Sequence, residues 1–241
     1  MSELTSFSRK GTVLSIWKTW GYRGLPAAIM KKEIGENIHI PVGSVTLEGR
    51  LDVPEHADRM IIFSHGTGSS RFSPRNQFVA GLLNEKGMAT LLVDLLTSRE
   101  SITHTARFDI ALLTQRLAAV TNWIREQPVF RNYHIAYFGA STGAASALGA
   151  ASIMPGNIRA VVSRGGRPDL AFRSLPLVQA PVLLIVGSLD DEVLDLNREA
   201  SARFRCPNEL IVIEGASHLF EETGKLQEVA ELAADWFERN L

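Results

Sequence analysis

Cysteine is almost absent: Cys206 stands alone among 241 residues. No internal disulfide can form within the chain, which fits a reducing compartment. Neither sign of charge dominates, with 25 Lys and Arg against 26 Asp and Glu and a formal net charge of -1. That balance offers no general attraction to nucleic acid. The six histidines lie far apart, with no H-E-x-x-H and no Cys/His ligand spacing, so no metal site is expected. No apolar run approaches the length of a transmembrane span. Gly11 to Trp17 is too short and too polar for a secretory core, and Lys18 follows at once. These absences lead to the expectation of a cytoplasmic protein. What is present is 45% hydrophobic residues, enough for one soluble domain with a substantial core.

The chain changes character near residue 37. Residues 1 to 36 carry Arg9, Lys10, Lys18, Arg23, Lys31 and Lys32 against few acids, with Trp17, Trp20 and Tyr22 between them. Gly21, Gly24 and Pro26 break any long helix there. This stretch reads as an N-terminal extension, either an amphipathic arm for a membrane surface or partner, or a segment packed on the domain or partly disordered. If copies of the chain associate as a homo-oligomer, the extension is the expected contact.

Residues 37 to 241 read as a single α/β domain. Asn37 to Pro41 and Ser44 to Val53 alternate apolar and polar residues around Gly43, the pattern of an antiparallel strand pair. Short apolar runs follow at Met60 to Ser64, Ala89 to Leu95, Ile135 to Phe138, Ala160 to Ser163, Pro181 to Val186 and Glu209 to Ile213. Each reads as a strand. Helical patterns fall between and after them, at Gln77 to Lys86, Asp109 to Glu126, Ala144 to Ala151, Leu196 to Phe204 and Lys225 to Asn240. Ser98 to Thr105 reads as a loop. Strands alternating with helices after an antiparallel start describe a mostly parallel central sheet with helices on both faces.

Gly139-Ala140-Ser141-Thr142-Gly143 matches G-x-S-x-G, and it falls between an apolar strand and an Ala-rich helix. The motif is a sharp strand-to-helix turn that holds a strained, exposed serine, with small residues two positions before and after it because the backbones crowd. A serine hydroxyl at neutral pH needs a base, itself oriented by an acid, and in open parallel sheets such groups gather past the carboxyl ends of strands. Past the last two strands stand Gly187-Ser188-Leu189-Asp190-Asp191-Glu192-Val193 and Gly215-Ala216-Ser217-His218. The candidate catalytic set is Ser141, Asp190 and His218, in the chain order of α/β-hydrolases. Asp191 is the adjacent alternative acid and Asp169 a rival after the preceding strand, whereas Asp94 reads as structural.

On these motifs the chain resembles the α/β-hydrolase superfamily, and within it the dienelactone hydrolase family, from about residue 37 to the end. The resemblance selects Asp190, which sits in G-x-x-D-x-x-V. It also places one oxyanion donor at the backbone of Thr67, in His65-Gly66-Thr67-Gly68-Ser69-Ser70, with Gly68 as the alternative. The other donor is the backbone of Thr142. His65 then holds the loop. Dienelactone hydrolases proper use cysteine where this chain has Ser141, so ester or thioester hydrolysis is implied in place of their lactone chemistry.

The connection Arg164 to Ala180 is too short for a large lid domain, which suits small or medium acyl groups. Arg164, Arg71 and Arg75 stand near strand or helix ends and are candidate contacts for an anionic substrate, with loop anchoring as the alternative reading. The expected activity is cleavage of a small-molecule carboxylic ester through an acyl-enzyme, with no cofactor. Thioesterase, peptidase and acyltransferase chemistry use the same groups, and a hydrolase fold kept for ligand binding or protein contact is the reading of a different class.

Overall fold

Burial separates the strands into two kinds. The strands β4 (Ala89–Val93) and β7 (Val182–Gly187) are buried at every position, whereas β1 (Glu36–Val42) and β2 (Val45–Asp52) alternate buried and accessible residues. Continuous apolar runs belong to strands covered on both faces, and alternation belongs to an antiparallel margin with one wetted face. The computed structural model describes residues 35–241, so the expected extension at residues 1 to 36 lies outside the described residues save Gly35 and Glu36.

The remaining strands are β3 (Arg59–Ser64), β5 (His134–Ala140), β6 (Ile158–Arg164) and β8 (Asn208–Ile213). All eight form one sheet in the order β1-β2-β4-β3-β5-β6-β7-β8. β2 runs antiparallel to both neighbours, and the pairs from β4 through β8 are parallel. The helices are α1 (Pro74–Glu85), α2 (His104–Arg107), α3 (Ile110–Glu126), α4 (Thr142–Ile153), α5 (Asp191–Ser201) and α6 (Lys225–Asn240). One face of the sheet is covered by α1 and α6, whose Val79, Leu83, Val229, Ala233 and Phe237 share a buried core with Phe63, Phe138, Val162 and Ile185. The connection from β6 to β7 holds two short 3-10 turns, Pro168–Ala171 and Leu175–Leu177, and no lid domain. This is the α/β-hydrolase fold. No described helix is long and apolar enough to cross a membrane.

The order places a crevice by topology. From β3 the chain crosses to β4 on one side, then returns to β5 on the other. The carboxyl ends of β3 and β5 therefore diverge at a switch point, where open α/β sheets bind ligands. The His65–Ser70 loop leaves one of these ends and Ser141 leaves the other.

Two elements differ from the sequence expectation. α5 spans Asp191–Ser201, starting five residues and ending three residues earlier than the expected Leu196 to Phe204. Asp190 occupies its N-cap position, Asp191 and Glu192 lie in its first turn, and Val193, Leu194, Asn197 and Ala200 form its buried stripe. Acids are favoured at a helix N-terminus by the dipole. The segment read as the loop Ser98 to Thr105 runs into the short helix α2.

That loop is held from beneath by Arg116 of α3. Its guanidinium grips both oxygens of Glu100, at 2.7 and 2.6 Å, and donates to the Leu95 carbonyl at 2.8 Å. The bonds from Arg116 pull the Glu100 carboxyl down from 4.5 to about 2. A carboxylate whose pKa is lowered on folding contributes stability above its unfolded value and loses it as pH falls through the folded one. Glu100→Gln should therefore lower the urea midpoint at pH 6 and flatten its decline between about 4.5 and about 2, read as the difference from the parent chain across a pH series.

Candidate active site

The turn from β5 to α4 is tight because its neighbours are close. Ser141 has φ 51° and ψ -125°, a region L-residues seldom occupy and one whose strain clusters at functional sites. A Cβ on Gly139 would fall 2.5 Å from Ala144 Cα, and one on Gly143 would fall 2.1 Å from the Ser64 carbonyl oxygen. Both glycines are thus demanded by contact, one within the turn and one against the end of β3. Backbone bonds fasten the serine from the other side: its N–H donates to the Arg164 carbonyl at 3.1 Å, and its carbonyl accepts from Arg167 N–H at 3.0 Å. α4 is buried along Thr142 to Ala151, which its small residues permit. Ser64 and Ser146 join their hydroxyls at 2.8 Å and tie that helix to β3.

His218 Nδ1 lies 2.6 Å from Asp190 Oδ2. This pair is built by two loops that zip together past β7 and β8. Ser188 N–H donates to the Ile213 carbonyl at 2.9 Å and Leu189 N–H to the Ala216 carbonyl at 3.0 Å, while Ser188 Oγ accepts from Gly215 N–H at 2.8 Å. Gly187 is needed here too, since a Cβ would meet the Ala216 carbonyl oxygen at 2.2 Å. Asp190 sits at the N-cap of α5 yet makes no capping bond, so its carboxylate is available to the imidazole. A Cβ on Gly165, just past β6, would stand 3.5 Å from the His218 ring, which sets that ring against the β6 end whose Arg164 carbonyl holds Ser141. The rival acid Asp169 is gripped at both oxygens by Arg167, at 2.8 Å each, and Asp191 opens the helix instead of facing the histidine.

The loop expected to supply an oxyanion donor differs in one respect from the expectation of two open donors. Thr67 N–H donates to Thr142 Oγ1 at 2.8 Å. The Thr67 and Thr142 hydroxyls meet at 2.9 Å, and Thr67 Oγ1 donates to the Arg107 carbonyl at 3.2 Å. Because the Thr67 proton goes to Arg107, the Thr142 hydroxyl is the donor in the pair. Thr142 therefore presents its lone pair to the expected oxyanion donor. Sequence reasoning weighed the backbone of Thr142 and missed its side chain, since the pairing joins residues 75 apart. The loop itself is held by His65 and Asp94. His65 Nδ1 meets the Gly66 carbonyl at 3.0 Å and its Nε2 lies 3.3 Å from Asp94 Oδ1. Burial would raise the Asp94 carboxyl, but bonds from His65 and Arg71 outweigh it and leave the group below its ordinary value.

The three arginines fare differently. Arg71 is committed to the protein: it pairs with Asp94 and, at 2.6 Å, with Glu48, which is the anchoring alternative. Arg75 pairs with Glu221 at 2.7 Å. Arg164 is buried and meets no described carboxylate. Beside Thr67 and Thr142 a cleft of about 660 Å³ opens, walled by Arg71, Leu96, Arg99 and Arg107. Another contributor without a sequence signal is Asn197 of α5, fully buried, whose amide donates to the Gly166 carbonyl at 2.9 Å and steadies the loop after β6.

A dienelactone hydrolase from Anabaena variabilis is 47% identical to this chain and superposes with a TM-score of 0.84, covering 86% of this chain and 98% of its own. The chain belongs to the dienelactone hydrolase family of α/β-hydrolases. Two further structures share the fold at lower identity. Est1E from Butyrivibrio proteoclasticus is 17% identical with a TM-score of 0.73, covering 85% of this chain and 98% of that one. The dienelactone hydrolase-like promiscuous phosphotriesterase P91, from metagenomic libraries, is 16% identical with a TM-score of 0.70, covering 86% of this chain and 98% of that one. A Mycobacterium tuberculosis protein named "Putative phosphoribosyl transferase" is 52% identical over 202 residues, 84% of this chain and 46% of the relative. The chain thus spans about half the length of the curated relatives it matches. No protein-family model matches.

The crowding at the turn yields a direct expectation. Gly143→Ala must push α4 away from Ser64, an overpacking change of about 1–3 kcal/mol. Chemical denaturation should show that loss, and labelling of the serine by a fluorophosphonate should slow in the same variant while it remains folded.

Proposed function

We propose that this chain is a carboxylesterase-type serine hydrolase acting on small-molecule esters of small or medium acyl groups. The observation that carries the reading is the 2.6 Å bond between His218 and Asp190 on the same sheet edge as a serine held at positive φ. Asp190 holds the Nδ1 proton of His218, which leaves Nε2 to act on Ser141. Ser141 Oγ attacks the ester carbonyl carbon and its proton passes to His218. The tetrahedral intermediate then expels the alcohol, which takes that proton as the C–O bond breaks. Water next gives a proton to His218 while its oxygen attacks the acyl carbon, and Ser141 Oγ leaves and recovers the proton. No cofactor enters the scheme.

The oxyanion is held by the backbone N–H of Thr142 and by that of Thr67, with Gly68 as the alternative to the latter. To reach Thr67 N–H the oxyanion displaces Thr142 Oγ1. A charged acceptor makes the stronger bond, so the exchange favours the intermediate over a neutral hydroxyl. Arg71 acts in this reading as an anchor of the loop. Transfer of phosphoribose, the activity in the mycobacterial relative's name, is not assigned to these residues, whose arrangement suits acyl transfer through serine. The unpaired Cys206 agrees with work in the cytoplasm.

A fluorophosphonate probe followed by mass spectrometry of the labelled peptide tests the reading. One adduct is expected, on Ser141, and none in Ser141→Ala. Asp190→Asn should retain the fold and lower kcat on a p-nitrophenyl ester by about 10²- to 10⁴-fold. A folded protein that takes no label, or takes it elsewhere, would remove the proposal and favour a ligand-binding role.

A further inference from the structure

Asn197 is the polar member of the buried stripe of α5, between Leu194 and Ala200, and none of its surface is exposed. Asparagine is a weak helix former, and a buried amide is costly unless it is bonded. An apolar residue would suit the position on both counts, so the amide needs another account. Its Nδ2 donates to the Val193 carbonyl at 2.7 Å, one turn back in the same helix, and to the Gly166 carbonyl at 2.9 Å, across in the loop after β6. With two carbonyl oxygens facing it, the NH2 group and not the amide oxygen must stand there. The second bond is the one that reaches beyond the helix.

The Gly166 carbonyl and the Arg167 N–H are the two ends of one planar peptide unit. Arg167 N–H donates to the Ser141 carbonyl at 3.0 Å. The Asn197 amide therefore fixes the plane that carries a hydrogen bond to the strained serine. The same unit is crowded from another side: a Cβ on Gly166 would fall 2.7 Å from Ala144 Cβ of α4 and 1.9 Å from Ser163 Oγ. Gly165, the residue before, lies against the His218 ring. Seven residues before Asn197, the N-cap of α5 is Asp190, whose carboxylate lies 2.6 Å from His218 Nδ1. One side chain thus joins the helix capped by the acid to the peptide that holds the serine. We propose that Asn197 is a positioning residue, which sets the separation of Ser141 from the Asp190–His218 pair by locking the Gly166–Arg167 peptide. The proposal rests on the hydrolase reading of Ser141, and Asn197 acts in it only through the main chain.

Asn197→Leu, with the same number and branching of side-chain heavy atoms, removes both bonds. Asn197→Ser keeps a hydroxyl for the Val193 carbonyl but is too short for Gly166, and it carries the test if the leucine variant fails to fold. Amide hydrogen exchange reads the tie without turnover. Arg167 N–H should exchange about 10-fold faster or more in either variant, while Ser188 and Leu189 N–H, paired past β7 and β8, keep their parent rates. On p-nitrophenyl butyrate, kcat and the rate of fluorophosphonate labelling should fall together by about 10-fold or more, with KM changed by less than about twofold. Thr121→Val is the comparison: it removes another fully buried bond, from Thr121 Oγ1 to the Tyr137 hydroxyl at 2.6 Å, and should lower the melting temperature with kcat unchanged. Unchanged Arg167 exchange in the Asn197 variants overturns the proposal. So does faster exchange with kcat unchanged, or a fall in kcat that Thr121→Val matches, which would mark a general loss of packing. A parent chain that hydrolyses no ester and takes no label sinks the esterase reading, and Arg167 exchange alone then decides the tie.

Discussion

The site depends on how closely α4 approaches the end of β3. With Gly143 against the Ser64 carbonyl and Gly139 against Ala144, two backbone segments touch where side chains would ordinarily keep them apart. That contact drives Ser141 to positive φ and brings the His65–Ser70 loop beside the serine, where a Cβ on Gly66 would fall 2.9 Å from Ser141 Cβ. The buried, small-residue character of α4 serves the same end. Gly149 approaches Thr114 of α3 so nearly that a Cβ would lie 2.5 Å from its hydroxyl. The helix is thus wedged between sheet and neighbour, and the strained residue cannot relax by moving it away.

A second layer of order comes from backbone pairing past the strands. The loops after β7 and β8 exchange main-chain bonds beyond the last ladder pair, so the separation of acid and histidine follows from sheet register and does not rely on flexible side chains. Around the His65–Ser70 loop the fastening is ionic instead, through Arg71 with Asp94 and Glu48. Main chain positions the Asp190–His218 pair proposed to act on the serine, and salt bridges position the loop proposed to meet substrate. A loop held by partly buried ion pairs keeps its place without the rigidity of a strand.

Much of this was legible in the sequence where the determining contacts are local. The glycines of the serine turn, the buried strands and the position of Asp190 in its short motif are all read from residues near one another. The antiparallel pair β1 and β2 announced itself by alternation around Gly43, whose φ is 57°. Illegible features were long-range. Asp191 and Glu192 fall outside the expected helix at Leu196 to Phe204, although acids at a helix start favour it. Arg71 and Arg164 both read as candidate substrate contacts near strand or helix ends. Only the fold shows that one meets two carboxylates and the other an asparagine. The grip of Arg116 on Glu100 crosses 16 residues and leaves no pattern in the chain.

The bond between Thr67 N–H and the Thr142 hydroxyl changes what a ligand competes against. In a hole open to solvent, an incoming oxygen replaces water, whose departure differs little from one ligand to the next. Here the rival is part of the protein, tethered at effectively constant concentration and linked through Thr67 to the carbonyl that ends α2. A weakly basic carbonyl gains little by the exchange, whereas an oxygen bearing full negative charge gains a great deal. In the proposed oxyanion hole the threshold for entry is therefore set by charge.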